Sequence, residues 1–348
     1  MWCSHPLRAS LIRHLSTTPA RCNTPKTPIA LIAALRKTHP VSLSLAKEAL
    51  QKSNNDLPAA LVYLTSSANA NSETKAKKLS SRTTDEGLIS ISLLGGKRIG
   101  MIQLACETDF VARNQVFLDT ARGVSETAAF LDVPTLSEDG ELPSSIPPPP
   151  TPSFSDPILD FPVEALSSAP LITLSSTTEL SPTSPQTIHE TLLASLSLTG
   201  ENLKLIRAVN FAAPFPSSPE TRFIPGGYAH GGSTDREGKV GGIVVLKVES
   251  LENETNPIVR MMGKDDLENQ LLAMARNVAR QIVGFPTKYI EGNLGEKEER
   301  LLEQPFMMYQ GESRSVGTVL EEWAREKGVK ISVVGMRRWS IGDEVDAE

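Results

Sequence analysis

The segment from Gly87 to Asn114, GLISISLLGGKRIGMIQLACETDFVARN, carries the clearest structural signal in the chain. Apolar residues approach alternation on both sides of Gly95-Gly96, and two glycines between such runs are typical of a β-hairpin turn. After the second run, apolar side chains recur at mostly helical spacing from Asp109 to Phe130. The local unit predicted by this pattern is two strands followed by one helix.

A second unit of the same type follows a proline-rich stretch. Between its strands, a glycine-containing segment from Pro214 to Gly238 is expected to form a long loop. The expected helices are Ile188 to Leu198, a helix capped by Asp265 that ends near Val283, and Val316 to Lys327; the expected strands are Leu203 to Phe211, Ile243 to Val248 and Val329 to Trp339. The predicted fold class is α+β, with two core subdomains in which a hairpin or sheet is covered by helices.

Residues 28–66 are predicted to form a small module of three helices that precedes both units. Pro28 suits the first turn of one helix, Ser42 or Ser44 can cap a second, and Asp56 can cap a third. Each predicted helix carries a few apolar residues on one face. Three helices of this length are expected to form a compact bundle.

Residues 134–187 differ in composition from the rest of the chain. Four consecutive prolines, Pro147 to Pro150, are followed by dense Pro, Ser and Thr. Such a segment cannot bury enough apolar surface to fold, so we expect a disordered insert, partly in polyproline II. The resulting boundaries are 1–27 for a transit peptide, 28–66 for the helical module, 67–86 for a linker, 87–133 for the first core subdomain, 134–187 for the insert and 188–348 for the second core subdomain.

The N-terminus has the composition of an organellar transit peptide. No acidic residue precedes Glu48, whereas basic residues are frequent, and Leu7, Leu11 and Leu15 recur at every fourth position. A secretory signal needs an uninterrupted apolar core, which Arg13 breaks. We therefore expect import into the mitochondrial matrix. A basic tail without a targeting function is the alternative.

The composition of the whole chain excludes several classes of protein. Its 348 residues are 39% hydrophobic and 22% charged, which is typical of a globular protein. No stretch approaches the roughly 20 apolar residues of a membrane-spanning helix. A net charge of -6 argues against a protein that binds nucleic acid mainly through phosphates. We therefore predict no membrane and no direct nucleic-acid partner.

Side chains suited to catalysis or metal binding are sparse in the sequence. Outside the presequence the histidines are His39, His189 and His230, and the one cysteine is Cys106. None has a metal-ligand spacing or belongs to a nucleophile and base pattern. Gly95-Gly96-Lys97 lacks the other residues of a phosphate-binding loop. We therefore predict a protein that is not an enzyme and holds no metal and no cofactor.

The segment from Glu107 to Asn114, ETDFVARN, is the most informative one for function. From composition alone, Thr108 or Asp109 would cap a helix and Phe110 would be its first core residue. The segment also resembles the Thr-Asp-Phe-Val signature of the elongation factor Ts family. Members of that family exchange the guanine nucleotide of elongation factor Tu.

Further landmarks of the same family occur here in the family's order. Residues 29–64 are similar to its ubiquitin-associated-like (UBA-like) N-terminal domain. The other matching segments are Gly200-Glu201-Asn202, Tyr228-Ala229-His230-Gly231, Gln304-Pro305-Phe306 and Ser315-Val316-Gly317. The resemblance covers about Pro28 to Ile341, apart from the insert and the 214–238 segment.

The resemblance implies the α+β fold predicted above and a role as a nucleotide exchange factor. The partner-binding turn would consist of Thr108, Asp109, Phe110 and Val111 and would intrude beside the Mg²⁺ of the partner's nucleotide. Supporting partner contacts would come from Arg113, Asn114 and His230. The implied partner is mitochondrial elongation factor Tu, GDP-bound or nucleotide-free. We expect a 1:1 heterodimer, because Pro147 to Pro150 forbids the helix of a dimerisation arm.

Two other functions remain open from the sequence. Residues 28–65 could bind ubiquitin, in which case the protein would be a ubiquitin-associated-type adaptor without exchange activity and the rest would be scaffold. The transit-like start disfavours the adaptor, since ubiquitin is scarce in the mitochondrial matrix. An unidentified matrix enzyme is the third possibility, and it would require a pocket with convergent titratable groups.

Overall fold

The computed structural model describes residues 28–38, 43–64, 79, 81–133, 156–172, 186–214, 220–252, 256–263, 266–311 and 313–343. The predicted transit peptide and most of the predicted linker lie outside these ranges. The chain forms two compact units, Met1–Ala68 and Asn69–Glu348. Within the described ranges, every helix is too short or too polar to span a lipid bilayer.

The described part of the first unit consists of three helices. Helix α1 is Ile29–Thr38, α2 is Leu43–Lys52, and α3 occupies residues 57–64. The turn before α3 contains two asparagines with positive φ, a conformation that asparagine tolerates well. The core of the unit is made of small and aliphatic side chains: Ile32, Leu35, Ala46, Ala49, Leu50, Ala60 and Leu64. All three helices lie where the sequence predicts them.

The second unit begins with the predicted hairpin. Strands β1, Glu86–Leu94, and β2, Arg98–Cys106, pair antiparallel in a continuous register from Glu86↔Cys106 to Leu94↔Arg98. The turn requires positive φ at Gly95 and Gly96, which are at 55° and 64°. Strands β3, Leu159–Asp160, β4, Lys204–Ala212, and β6, Glu237–Gly238, complete an antiparallel sheet in the order β3-β4-β2-β1-β6.

A second antiparallel sheet has the order β5-β7-β8. Its strands are β5, Thr221–His230, β7, Val240–Ser250, and β8, Val329–Ser340. The helices of this unit are α4, Asp109–Ala112; α5, Gln115–Phe130; α6, Val163–Ser168; α7, Ile188–Thr199; α8, Ile258–Met262; α9, Leu267–Gly284; and α10, Val316–Glu326. Two short 3₁₀ turns, Lys297–Glu299 and Leu301–Glu303, precede α10.

These elements pack as four layers, helix on sheet on sheet on helix. Side chains alternate between the two faces of a strand, and β1 shows the consequence. Ile89 and Ile91 face the second sheet, whereas Leu88 faces α5 and α7. Ser90 and Ser92 share the α5 side, where both hydroxyls bond that of Ser125, at 3.0 and 2.7 Å. A third core lies between the second sheet and helices α9 and α10.

The strand order corrects the predicted separation into core subdomains 87–133 and 188–348. Strands β4 and β6 come from the second segment, yet they pair with β2 and β1 of the first. Residues Asn69–Glu348 form one compact unit. The cause is that β1 and β2 both have edges that need partners, and chain neighbours do not supply them.

The sequence predicts a long loop over 214–238, and that expectation is wrong for residues 221–230 and 237–238, which form β5 and β6. β5 pairs with β7 along its whole length, from Thr221↔Glu249 to His230↔Val240. Gly226 allows close packing there, because a Cβ on it would lie 2.5 Å from the carbonyl carbon of Ala275 in α9. The glycines thus mark a close approach of strand and helix.

The prediction of a disordered insert over 134–187 is wrong for residues 156–172. Strand β3 pairs with β4, and helix α6 packs against α7 and the first sheet. Ile158, Phe161 and Leu166 are buried there, and their apolar area is enough to hold this short segment. Residues 134–155 and 173–185 lie outside the described part of the chain.

Candidate functional site

The segment between β2 and α5 forms a tight turn that contains the helix α4. Thr108 caps α4, and its Oγ1 accepts a hydrogen bond from the Val111 N–H at 3.4 Å. The prediction of one continuous helix from Asp109 to Phe130 is wrong. Asn114 is extended, with φ −72° and ψ 138°, and its side chain accepts from the Val116 N–H at 2.9 Å. This bond starts a new helix and so separates α4 from α5.

Phe110 points into solvent. It is 89% exposed, whereas Val111 and Ala112 are 8% and 6% exposed and belong to the core beneath α5. Phe110 as the first core residue of the helix, the simplest expectation from composition, is therefore wrong. An exposed phenyl ring on a turn with a buried base leaves a large apolar surface open to water, and contact with a partner would remove that surface.

Asp109 lies beside Phe110 and is shared between two cations. Its carboxylate forms an ion pair with Arg113 at 2.9 Å, and the Lys239 ammonium lies 4.0 Å from its other oxygen. The same ammonium pairs with Glu86 at the start of β1. Because these groups are well exposed, such pairs contribute little stability. They orient the Asp109 carboxylate while leaving it accessible.

Glu201 also binds the turn, through Thr108. Its two carboxylate oxygens accept from the Thr108 N–H at 3.0 Å and from the Thr108 hydroxyl at 2.6 Å. The Asn202 N–H donates back to Glu107 at 2.8 Å, and Glu107 pairs with Arg82 at 3.3 Å. The loop after α7 and the turn are thus joined by reciprocal hydrogen bonds.

Cys106 lies directly under the turn. Its side chain is fully buried, and its Sγ donates to the Thr108 carbonyl at 3.3 Å. Burial, helped by the nearby charges of Glu201 and Glu86, raises the pKa of the Cys106 thiol to about 12. The thiol is therefore neutral at physiological pH and supports the turn as a weak donor rather than acting as a nucleophile.

His230 is linked to the turn through Lys239. It ends β5 with an exposed side chain, and its carbonyl accepts from the Lys239 N–H at 2.8 Å. The Lys239 side chain then reaches Asp109. Arg113 forms an ion pair with Asp109, while the Asn114 side chain caps α5. The predicted residues from Thr108 to Asn114 thus lie in one turn, and His230 is connected to that turn through Lys239.

Two functional candidates were missed by the sequence reasoning, Glu201 and Lys239. Glu201 belongs to one of the recognised landmarks, but nothing in a linear sequence indicates that it contacts Thr108. Lys239 has no local motif. Only the pairing of β6 with β1 and of β5 with β7 brings it to the turn. Both positions depend on contacts between distant segments.

The arrangement suits insertion into a protein partner. It presents an apolar ring and an acidic group side by side, on a turn with a buried base and a hydrogen-bonded flank. In the described ranges, no group of three or more His, Cys, Asp or Glu side chains is placed to hold a metal ion.

Comparison with known proteins shows similarity along nearly the whole chain. It is 59% identical to mitochondrial elongation factor Ts of Cryptococcus neoformans var. neoformans serotype D, over 98% of this chain and 93% of that protein. It is 34% identical to the protein of that name from Coprinopsis cinerea, over 95% and 98%. The mitochondrial elongation factor Ts of Laccaria bicolor is 33% identical, over 96% of each chain. No family model matches the chain.

Proposed function

Since the chain belongs to the elongation factor Ts family, and is thereby a translation elongation factor of the mitochondrion, we propose that it is a guanine nucleotide exchange factor. It binds mitochondrial elongation factor Tu with GDP bound and in the nucleotide-free state, and it accelerates the release of GDP. It carries out no covalent chemistry of its own. The observation that carries the proposal is the exposure of Phe110 beside Asp109 on a braced turn.

The proposed mechanism acts on the metal and phosphate site of the partner. Guanine nucleotide is held largely by phosphate contacts that Mg²⁺ bridges. Phe110 enters an apolar crevice of the GTPase domain, and the adjacent Asp109 disturbs the surroundings of the metal. Val111 and Ala112, buried in the core, keep the turn from yielding when Phe110 is pushed into the crevice. Displacement of the elements that hold the metal weakens the binding of GDP.

The energy for GDP release must come from differential binding. The factor loosens the nucleotide only as far as it binds the nucleotide-free partner more tightly than the GDP-bound partner. Linkage makes the effect reciprocal, so GDP lowers the affinity of this protein for elongation factor Tu by the same ratio. A ternary complex of elongation factor Tu, GDP and this protein is therefore an intermediate. It loses either GDP or this protein.

The helical module supplies a further docking surface in this proposal. Ile29, Leu43 and Val62 are 85%, 62% and 70% exposed, so the module presents apolar side chains at its surface. We assign them to contact with the GTPase domain. The same exposure would suit the ubiquitin-associated-type adaptor. A pull-down separates the two functions, since retention of ubiquitin alone would support the adaptor and retention of elongation factor Tu supports exchange.

The compartment proposed for this activity is the mitochondrial matrix. The basic, acid-free N-terminus, with leucines at every fourth position, supports import. Protease treatment of mitochondria whose outer membrane has been opened gives the test. The chain is expected to stay protected until the inner membrane is lysed, and digestion before lysis would contradict a matrix location.

The direct test of exchange is the release of a fluorescent GDP analogue from mitochondrial elongation factor Tu, chased with excess GDP. The wild-type chain is expected to accelerate release strongly, and the variant with Asp109→Ala and Phe110→Ala is expected to lose most of that acceleration. The matched control carries Phe130→Ala and Asp132→Ala, which remove another exposed phenylalanine and a nearby exposed acid beyond the far end of α5.

The outcomes separate binding from exchange. The control should accelerate release like the wild type. Calorimetric titration should show that the Asp109 and Phe110 variant still binds nucleotide-free elongation factor Tu through its other surfaces. Unchanged acceleration in that variant would refute the roles given to Asp109 and Phe110, and binding without acceleration by the wild type would move the adaptor to first place.

A further inference from the structure

We infer that Glu201 is a positioning residue for nucleotide exchange, acting through Thr108 to hold the Asp109-Phe110 turn in its active shape. The inference rests on the exchange function proposed above. Glu201 itself lies in the loop after α7, where it binds the base of the turn rather than its exposed tip.

The bonding pattern of Glu201 is specific for the Thr108 conformation. Two donors of one residue, the N–H and the hydroxyl of Thr108, bind the two oxygens of a single carboxylate at 3.0 and 2.6 Å. The Thr108 hydroxyl can satisfy Glu201 and still accept from Val111, so the same side chain caps α4. Charge-assisted hydrogen bonds of this kind are stronger than those between neutral groups. Rotation of the Thr108 side chain away from its capping position would break its hydroxyl bond to Glu201, and a shift of the Thr108 backbone would break the N–H bond.

Helix α4 depends on such a contact. It has only four residues, and a helix of one turn does not persist in water without tertiary support. Val111 and Ala112 anchor one of its faces in the core, but Phe110 is 89% exposed and holds nothing. The Asp109–Arg113 pair is also exposed. Glu201 therefore supplies a polar anchor at the start of α4, in addition to the apolar one made by Val111 and Ala112.

The pattern is reciprocal, which argues for positioning rather than for a chance surface contact. Glu201 accepts from Thr108 while the next residue, Asn202, donates its N–H to Glu107 at 2.8 Å. The two segments are more than 90 residues apart in the chain, yet two consecutive residues of one form hydrogen bonds with two consecutive residues of the other. Loss of the Glu201 carboxylate leaves only the Asn202 half of this connection. The turn can then open while the sheets and helices stay folded.

The test compares Glu201→Ala, Glu201→Gln and wild type in the full chain, with Cys3→Ser and Cys22→Ser in every form so that Cys106 is the one thiol. Exchange is measured over a range of factor concentrations, which separates the rate at saturation from the half-saturating concentration. Labelling of Cys106 by a thiol reagent measures opening of the turn, because this side chain is buried against Thr108. Thermal unfolding is recorded for each form.

We expect Glu201→Ala to lower the saturating exchange rate about tenfold, as misplacement of a positioned group does. The half-saturating concentration should change less than threefold, since the apolar docking surfaces remain. Cys106 should be labelled about tenfold faster. Glu201→Gln keeps one acceptor oxygen and should recover much of the rate. The control Glu321→Ala, which removes an exposed acid paired with Arg325 on α10, should behave like wild type.

The outcomes separate this inference from the exchange function. A wild-type chain that does not accelerate GDP release would refute the exchange function itself. If the wild type accelerates release and Glu201→Ala matches it at saturation, the positioning role is wrong, whether or not Cys106 labelling changes. If Glu201→Ala loses folded protein, Glu201→Gln decides the question. A saturating rate below that of the wild type together with faster Cys106 labelling supports the role, and a rate and labelling equal to those of the wild type overturn it.

Discussion

Phe110 and Val111 are neighbours in the chain with opposite environments. Val111 is buried against the first sheet and α5, while Phe110 is almost fully exposed. Both residues are apolar, and helical spacing does not indicate which one faces the core, because α4 is too short for an apolar face to be recognised. The direction of Phe110 follows instead from Thr108 and Glu201, which fix the rotation of the turn. The residue on which the proposed function depends is the one that local pattern places wrongly.

Cys106 gives a prediction on pH at the residue scale. Its thiol titrates near the ordinary value of 9.0 in the unfolded chain, and at about 12 in the folded protein. Between these pH values the unfolded chain loses a proton that the folded protein keeps. The stabilisation is therefore complete below about pH 9 and is lost as the pH rises toward 12, by about 1.4 kcal/mol per pH unit.

The measurement is the difference in unfolding free energy between wild type and Cys106→Ala, taken by urea titration from pH 7 to pH 10.5. Lysines and tyrosines titrate in the same range in both proteins, and the subtraction cancels them. We expect the wild type to lose its advantage over Cys106→Ala progressively above pH 9. A difference that stays constant across this range would show that the Cys106 thiol is not buried as described.

At the scale of elements, the most regular helices and strands could be predicted from the sequence alone. The hairpin, α7, α9, α10 and β8 lie within a few residues of their predicted positions, because each has a clear period and a turn or capping residue at its end. Failures occurred where composition suggested a loop. Strand β5 contains Gly226-Gly227, and helix α6 lies in a proline-rich stretch. Tertiary burial overrides composition in both segments.

The pair Arg122–Glu237 links helix α5 to strand β6. Glu237 is 2% exposed and pairs with Arg122 at 2.8 Å, while Arg122 also pairs with Asp119 at 3.1 Å. We expect Arg122→Met to lower the free energy of unfolding by about 2–3 kcal/mol, because it leaves a buried carboxylate without its cation. Arg122→Met combined with Glu237→Gln should recover a substantial part of that loss. Urea unfolding followed by the fluorescence of buried Trp339 is the measurement.

The control for this prediction is Arg325→Met. Arg325 forms an exposed pair with Glu321 on α10, with side chains 66% and 72% exposed. Such a pair contributes less than about 0.5 kcal/mol. Equal losses in Arg122→Met and Arg325→Met would show that Glu237 is hydrated in the folded protein, and the link between α5 and β6 would then have no special role in stability.

For the whole molecule, the layer order and the identity of neighbouring strands could not be predicted. Strands β1, β2, β4, β7 and β8 were predicted from their own patterns, whereas β3, β5 and β6 were not. Pairing is decided by the edges that remain open after the hairpin forms. β4 joins β2 and β6 joins β1, so the chain returns twice to its first sheet. The central residues of the proposed partner-binding surface, Thr108 to Val111, stay a prediction from the sequence. Its two bracing residues, Glu201 and Lys239, depend on that long-range pairing.

The complex with mitochondrial elongation factor Tu is predicted to contain one copy of each chain. This expectation rests on the sequence, because four consecutive prolines, Pro147 to Pro150, argue against a helical dimerisation arm. Light scattering on the mixture, after size-exclusion chromatography without nucleotide, should give the summed mass of one factor and one partner. The value should not depend on concentration. A mass twice that sum would contradict the 1:1 stoichiometry.

The distance along the chain between Thr108 and Glu201 has a consequence in time. During the import proposed above the N-terminus enters first, so the turn reaches the matrix more than 90 residues before the carboxylate that holds it, and Lys239 follows later still. Contacts between distant segments form late in folding, because the intervening chain must first be closed into a loop. A partly imported or truncated chain therefore carries the Thr-Asp-Phe-Val sequence without its shape. The turn can bind the partner productively only once the fold is complete. Incompletely folded copies therefore do not compete with folded ones for the partner.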